Sequence, residues 1–388
     1  MRDDPEHHRW LDEQLRRQLA FGTSFPHPEG GAAWLDEAGK PDLSRPVFTW
    51  VTARMAHVYS LGELAGIPGC AEPADLALAG LTGRLHDAEH GGWFASTGPD
   101  PRVVDDTKSC YATAFVQLAA ATASRADRPG AAQLLDDAAE VLETRFRTDT
   151  GLYADSWDRA WTTLRDYRGV NANMHVVEAD LAAAAATGDA AFLDRALVVA
   201  GRVVDDWARA NQWRVPEHFD ADWNPLPDHH RDQADHPFEP FGATVGHGLE
   251  WSRLVLELRT ALGAAAPEWM LPAATSLFDR AARDGWSVDG HAGFVYTTDW
   301  DGTPVVRDRM HWVVCEAICA AAALHEATGE PAYDELYRTW WAHAVEHWID
   351  PANGSWRHQL TPELEPADSV WPGRPDLYHS VHAVVLPR

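Results

Sequence analysis

Apolar residues return every three to four positions in long alanine- and leucine-rich stretches of this chain, and shorter turn-rich segments break the pattern. A period of 3.6 is the mark of helices, so the expected class is all-α. The helical stretches come in pairs. The first of each pair begins with unusual polar or aromatic residues: "FTWVTARMAHVYSL", "DDTKSCYATAF", "NANMHVVEADLAAAAA", "VGHGLEWSRLVLEL", "RMHWVVCEAICAAAAL" and "DLYHSVHAVVL". The second is an ordinary amphipathic helix, such as "AAQLLDDAAEVLETRF" or "AYDELYRTWWAHAVEHW".

One short element recurs between the pairs: a turn, an aromatic, a few strand-like residues, then another turn. Its aromatics are Trp93, Tyr153, Phe219, Phe294 and Trp356, with a weaker first copy at Trp34. Successive aromatics lie 59, 60, 66, 75 and 62 residues apart, so six copies account for all 388 residues. A helix at about residues 7–21 has no partner ahead of it and can close a ring as the last outer helix. The expected architecture is one (α/α)6 barrel spanning 1–388, a toroid of six helical hairpins with short β-hairpin loops at one end. An open helical solenoid is the alternative.

In such a ring the first turns of the inner helices converge on a shared cavity. They offer Trp50, Arg54 and His57; Asp106, Lys108 and Tyr111; Asn171, His175 and Glu178; His247, Glu250 and Trp251; His311, Trp312 and Glu316; and Tyr378, His379 and His382. Singly, each has a bland reading. A histidine near a helix start is usually a hydrogen-bonded core residue; Glu178 and Glu316 suit neighbouring backbone or arginines as well as substrate; Asp106 and Lys108 suit a structural ion pair. Jointly they are harder to dismiss, because buried polar clusters are costly unless satisfied or functional. His247, Glu250 and Trp251 stand at i, i+3 and i+4, so their common face is expected to line the cavity, with Glu250 holding the tautomer of His247.

Composition narrows the partners. The formal net charge is −27, a surface that repels phosphate backbones and anionic lipid heads, so neither nucleic acid nor membrane is an expected partner. No apolar run approaches a membrane span, and the N-terminus lacks a signal-like apolar core. Cys70, Cys110, Cys315 and Cys319 form no CxxC pair and read as thiols of a reduced, cytoplasmic protein. Nineteen tryptophans supply flat surfaces for sugars as well as core volume, and lysine is nearly absent, with only Lys40 and Lys108.

The segment "PDHHRDQADH" (227–236) is tempting as a metal site, but adjacent histidines point in different directions and no HExxH spacing occurs, so a solvated loop is expected and no metal. GxxxxGK[ST], GxGxxG and GxSxG are missing, so no nucleotide cofactor and no serine nucleophile is expected. Histidine acid–base chemistry on a sugar, next to a carbonyl, remains.

"WVTARMAHVYS", "HGGWFA", "YRGVNANMHVVEA", "RVPEHFDADWNPLPD", "GATVGHGLEWSRL", "NGSWRHQL" and "DLYHSVH" together resemble the N-acylglucosamine 2-epimerase superfamily, and within it the aldose–ketose isomerases. The resemblance covers nearly the whole chain. It implies an (α/α)6 barrel, no cofactor, and a cis-enediol between C1 and C2 of an opened sugar. It implies His379 as the proton-shuttling base and His247, supported by Glu250, as the ring-opening or second acid–base group. Arg54, Tyr111, Asn171 and His175 become hydroxyl contacts and Trp50 a wall; Glu178, Trp312, Glu316 and His358 join the expected substrate site. Sulfonated sugars would need compensating charge, yet the loop before helix four carries Asp228, Asp232, Asp235 and Glu239 against only Arg231, and His358 and Pro375 stand where that branch has glutamines. The expected reaction is therefore mannose to fructose. The alternatives are a sulfoquinovose isomerase, a sugar 2-epimerase, a glycoside hydrolase with paired carboxylates, and a sugar- or protein-binding module without turnover. The expected partner is a monosaccharide, with self-association into a homo-oligomer left open.

Overall fold

The computed structural model describes residues 4–387. Its helices, in chain order, are α1 (Pro5–Gly22), α2 (Thr49–Leu64), α3 (Ala71–Thr82), α4 (Cys110–Arg125), α5 (Ala131–Val141), α6 (Val170–Thr187), α7 (Ala191–Ala200), α8 (Val245–Leu262), α9 (Met270–Gly285), α10 (His311–Thr328), α11 (Pro331–His343) and α12 (Tyr378–Val385). The inner ring runs α2, α4, α6, α8, α10, α12 and closes where α12 meets α2. Outside it, α3, α5, α7, α9 and α11 each pack on the inner helix before them, and α1 packs on α12. The fold is the (α/α)6 barrel that the repeats predict, and closure of the ring rules out the open solenoid.

The two rings follow from two sequence patterns. Every residue of α2 from Thr49 to Ser60 is buried, as suits a helix enclosed on all sides. Alanine runs in α4, α6 and α10 keep side chains short, which lets neighbouring axes approach. The outer α5 instead buries one stripe, Ala131, Leu134, Leu135 and Ala138, while Gln133, Asp136 and Asp137 face water.

Short strands clasp five of the six hairpins among the described residues. Val47–Phe48 pairs with Ser96–Thr97, Lys108–Ser109 with Ser156–Trp157, Tyr167–Gly169 with His218–Asp220, Ala243–Thr244 with Thr297–Thr298, and Arg309–Met310 with Gln359–Leu360, all antiparallel. Each clasp joins the residues before an inner helix to those following its outer partner. Local hairpins occur as expected, for instance Trp34–Leu35 with Pro41–Asp42, but these longer-range clasps are what hold the inner-helix starts at one end. The six recurring aromatics all sit buried in the core.

Among the described residues no helix is long and apolar enough to cross a membrane. The four cysteines are buried free thiols.

Candidate active site

The inner-helix starts surround a cavity. All six contribute: Trp50 and Arg54 from α2, Tyr111 from α4, Asn171 and His175 from α6, His247 and Glu250 from α8, His311 and Trp312 from α10, and His379 from α12. His358 joins them from a loop. Of the residues that the family resemblance assigns to catalysis or substrate binding, Glu178 and Glu316 do not line it. They lie beneath the floor, where each holds a residue that does.

His379 and His247 are built alike. The Nδ1 of His379 donates to Glu316 Oε1 at 2.9 Å, and the Nδ1 of His247 donates to Glu217 Oε1 at 2.9 Å. A carboxylate on Nδ1 fixes the tautomer and leaves Nε2 to the cavity. The indole of Trp312 stands beside both rings, its centroid 5.6 Å from His379 and 5.3 Å from His247. Burial, with Arg54 and His311 nearby, keeps the His379 imidazole well below its ordinary 6.5, so it stands neutral and ready to accept a proton.

Glu250 is not the partner expected for His247. Glu217 takes that place because the clasp strand carrying His218 lays it against the start of α8, whereas Glu250 sits a turn deeper. Burial, then the carboxylates of Glu316 and Glu178, push Glu250 well above the usual carboxyl range. It is a protonated acid on the cavity wall, and its Oε1 has no hydrogen-bond partner. Burial alone would also raise Glu178, but the hydrogen bond from His175 and the charge of Arg253 hold it well below. Glu178 accepts from His175 Nδ1 at 3.2 Å and from the Tyr378 hydroxyl.

On the opposite wall Arg54 donates to Asp376 Oδ2 at 3.2 Å and to the Tyr111 hydroxyl at 2.9 Å. Its guanidinium lies 4.9 Å from the Trp50 ring centroid. His311 and His358 stack at 3.9 Å, and burial lowers the first to about 4 and the second well below 6.5. Glycine is required twice around the opening of α8. At Gly242 (φ 90°) a Cβ would lie 2.1 Å from Thr298 O, and at Gly246 it would lie 2.2 Å from the Trp312 ring.

Several expectations are corrected. Trp251 is fully buried core, not cavity wall: it lies a turn deeper along α8 than His247, among the buried residues that run on through the helix. Asp106 and Lys108 precede α4 in an extended segment. Asp106 is exposed, and Lys108 turns inward to Asp87 at 2.9 Å, a buried ion pair that leaves no free amine for covalent chemistry. His57 and His382 lie outside the cavity lining and bond each other, Nε2 to Nε2, at 2.8 Å. Glu217, Asp376, Tyr296, Trp371 and Phe238 line or support the cavity and were not expected there.

The 227–236 loop is largely exposed, as expected, but its adjacent histidines converge. His230 adopts φ 52°, which turns the chain so that the rings of His229 and His230 lie 4.0 Å apart beside Glu239. Among the described residues, His229, His230 and Glu239 form one of three groups with metal-ligand spacing; the others are His175, Glu178, Glu250 and Glu250, Glu316, His379. Both buried groups already hold a cation, since Arg253 approaches Glu316 to 2.9 Å, Glu178 to 3.3 Å and Glu250 to 3.6 Å. Glu239 is likewise taken by Arg165 at 2.6 Å.

Six helical hairpins closed over a cavity of histidines, indoles and buried carboxylates define an (α/α)6 barrel with a polar small-molecule site. The chain belongs to the N-acylglucosamine 2-epimerase (GlcNAc 2-epimerase) family, whose model matches residues 30–383. It is 49% identical to a D-mannose isomerase of Thermobifida fusca over 98% of this chain and 94% of that one. It is 46% identical to a D-mannose isomerase of Pseudomonas cannabina pv. alisalensis, covering 99% and 93%. A crystal structure of a D-mannose isomerase superposes with a TM-score of 0.92 at 29% identity, covering 98% and 97%.

Proposed function

We propose that this chain is an aldose–ketose isomerase that interconverts D-mannose and D-fructose without a cofactor, using His379 and His247 as its acid–base pair. The observation that carries the reading is the matched geometry of these two histidines, each with a carboxylate on Nδ1 and both flanking Trp312. The relatives named D-mannose isomerase support the choice of sugar.

The pyranose opens to the aldehyde as His247 moves the proton between O1 and O5. His379 Nε2 takes the proton from C2, and the C–H electron pair moves into an enediolate across C1 and C2. The imidazolium returns that proton to C1, and one hydroxyl proton passes from O2 to O1 through His247, which balances the conversion. Protonated Glu250 donates a hydrogen bond where negative charge develops on oxygen. Arg54 is neutralised by Asp376, and Arg231 is exposed and paired to Asp228 at 3.0 Å, so among the described residues the cavity lining offers a sulfonate no unpaired arginine or lysine. A hydrolase pair of Glu250 with Glu178 or Asp106 is also poorly served, because Glu178 is buried outside the cavity lining and Asp106 is exposed ahead of α4.

Incubation with D-mannose, followed by NMR, tests this. Fructose should appear, and His379→Asn and His247→Asn should each lower kcat at least about 100-fold. Failure of concentrated enzyme to form any ketose sinks the proposal. The family match favours one second reading, 2-epimerisation, in which the proton returns to the other face of C2. Glucose in place of fructose would establish it.

A further inference from the structure

Arg253 lies on α8 outside the cavity lining, 2% exposed, and approaches the wall residue Glu250 to 3.6 Å. It is a hub for carboxylates from three inner helices. Its Nε donates to Glu316 Oε2 of α10 at 2.9 Å, and its Nη2 donates to Glu178 Oε1 of α6 at 3.3 Å. The same Nη2 lies 3.6 Å from Glu250 Oε1, and Nη1 donates to Glu257 Oε1 at 3.0 Å, both on its own helix. The other oxygens of these carboxylates point upward: Glu316 Oε1 to His379, and Glu178 Oε2 to His175 and Tyr378. A single planar fork thus fixes the carboxylates that hold two cavity residues, His379 and His175, which a flexible ammonium could not do.

We propose that Arg253 is a positioning residue that sets both the aim and the protonation of His379, acting through Glu316. The proposal rests on the acid–base role given to His379 above. Groups facing His379 are Glu316 and His311 of α10, Arg54 of α2, His175 of α6, Glu250 of α8, His358 from the loop before Gln359–Leu360, and Asp376 just before α12. Groups facing Arg253 besides its four carboxylates are His382 and Tyr378 of α12 and Cys319 of α10. In this crowd Arg253 is the cation held directly against Glu316, and its charge opposes a second positive charge on the His379 ring bonded to the same carboxylate. Removing the guanidinium leaves a buried carboxylate against an imidazole, and the pair then favours the imidazolium. The pKa of His379 rises, and with it the pH below which the base is already occupied.

Arg253→Met is therefore expected to move the acid limb of kcat/KM upward by about one pH unit and to lower kcat more than it raises KM. Arg253→Lys restores the charge without the fork, so it should return the limb toward its original place while leaving kcat reduced. Glu257→Gln leaves the fold and the cavity untouched and removes a competing anion from Nη1, so its limb should move downward. This third variant keeps the test decisive where Arg253→Met fails to fold. Histidine NMR titration reads the same shifts in His379 with no sugar present, so a wrong substrate and a wrong role for Arg253 give different results. A His379 titration within about 0.2 pH units of wild type in folded Arg253→Met and Glu257→Gln would overturn the proposal, as would equal loss of kcat in all variants with unmoved limbs.

Discussion

Glu217 Oε1 sits 2.9 Å from His247 Nδ1, and it reaches α8 from a strand thirty positions earlier in the chain. The strand His218–Asp220 is clasped to Tyr167–Gly169, and Val170 N donates to Glu217 O at 3.0 Å, so two backbone constraints hold this carboxylate in place. It is the counterpart of Glu316 at His379. Glu217→Gln keeps the size but lets the amide either donate or accept, and the His247 tautomer is no longer fixed. We expect kcat/KM to fall about 10- to 1,000-fold, with KM changed less than kcat. Steady-state kinetics on purified Glu217→Gln checks this; wild-type rates would remove Glu217 from the machinery.

Glu250→Gln asks a separate question of the neighbouring carboxyl. Because burial keeps Glu250 protonated, a glutamine preserves a donor where a carboxylate would have repelled the enediolate. Glu250→Gln should therefore retain more activity than Glu250→Asp, whose shortened acid no longer reaches the same point. The ratio of the two kcat values is the measurement, and a ratio below one contradicts the neutral state.

These two residues show what could be read from sequence and what could not. Periodicity placed the starts of all six inner helices, because a 3.6-residue repeat is a property of consecutive residues. Which carboxylate meets His247 depends on strand pairing between segments fifty residues apart, and no local pattern encodes that. Glu217 did lie inside the quoted "RVPEHFDADWNPLPD", so the motif marked it without assigning its partner. Trp251 failed for a different reason. It lies a turn deeper along α8 than His247, among the buried residues that run on through the helix, so a shared face does not bring it to the cavity. Asp376 was invisible because its value lies in neutralising Arg54, a contact between opposite ends of the chain.

The histidine pair under the floor predicts acid sensitivity. The Thr122 hydroxyl donates to Leu118 O at 3.0 Å, so it accepts from His57 Nδ1 at 2.8 Å, and His57 Nε2 then accepts from His382 Nε2. A second proton on His57 would face another N–H. Unfolded, this histidine titrates near 6.5; folded, burial lowers it to about 4. Protons bind preferentially to the unfolded chain between those values, so stability is full above about pH 6.5 and falls as pH drops toward 4. His57 alone accounts for about 3 kcal/mol over that window. His57→Asn keeps one donor and one acceptor but cannot titrate, and should flatten the fall in Tm between pH 6.5 and 4, measured by calorimetry.

Charge at the cavity sets a limit on substrates. Arg54 is spent on Asp376 and on the Tyr111 hydroxyl, while the loop above carries mostly acids. Mannose 6-phosphate and sulfoquinovose should be turned over at least about 100-fold less efficiently than mannose, a difference of about 2.7 kcal/mol in transition-state binding. Competition assays with equimolar sugars measure it directly. Comparable turnover of the sulfonate would move the chain to the other branch of its family.

Phe238 closes the cavity from the loop that follows the histidine cluster. Its ring meets Trp50 at 5.9 Å, Tyr111 at 5.8 Å and Trp371 at 5.4 Å, all edge-on, yet it remains 37% exposed. A side chain that is partly wet loses less on truncation than a core aromatic, so Phe238→Ala should fold with nearly unchanged Tm. What it removes is the apolar cover over a bound sugar and one edge of the aromatic wall. That cover acts on ground state and transition state alike, since Phe238 has no group to offer the developing charge. The expected signature is a rise in KM of about 5- to 30-fold, equivalent to roughly 1–2 kcal/mol, with kcat within about threefold of wild type. A fall in kcat at unchanged KM would instead mean that Phe238 acts on the chemical step, by excluding water from the enediolate rather than by holding the sugar.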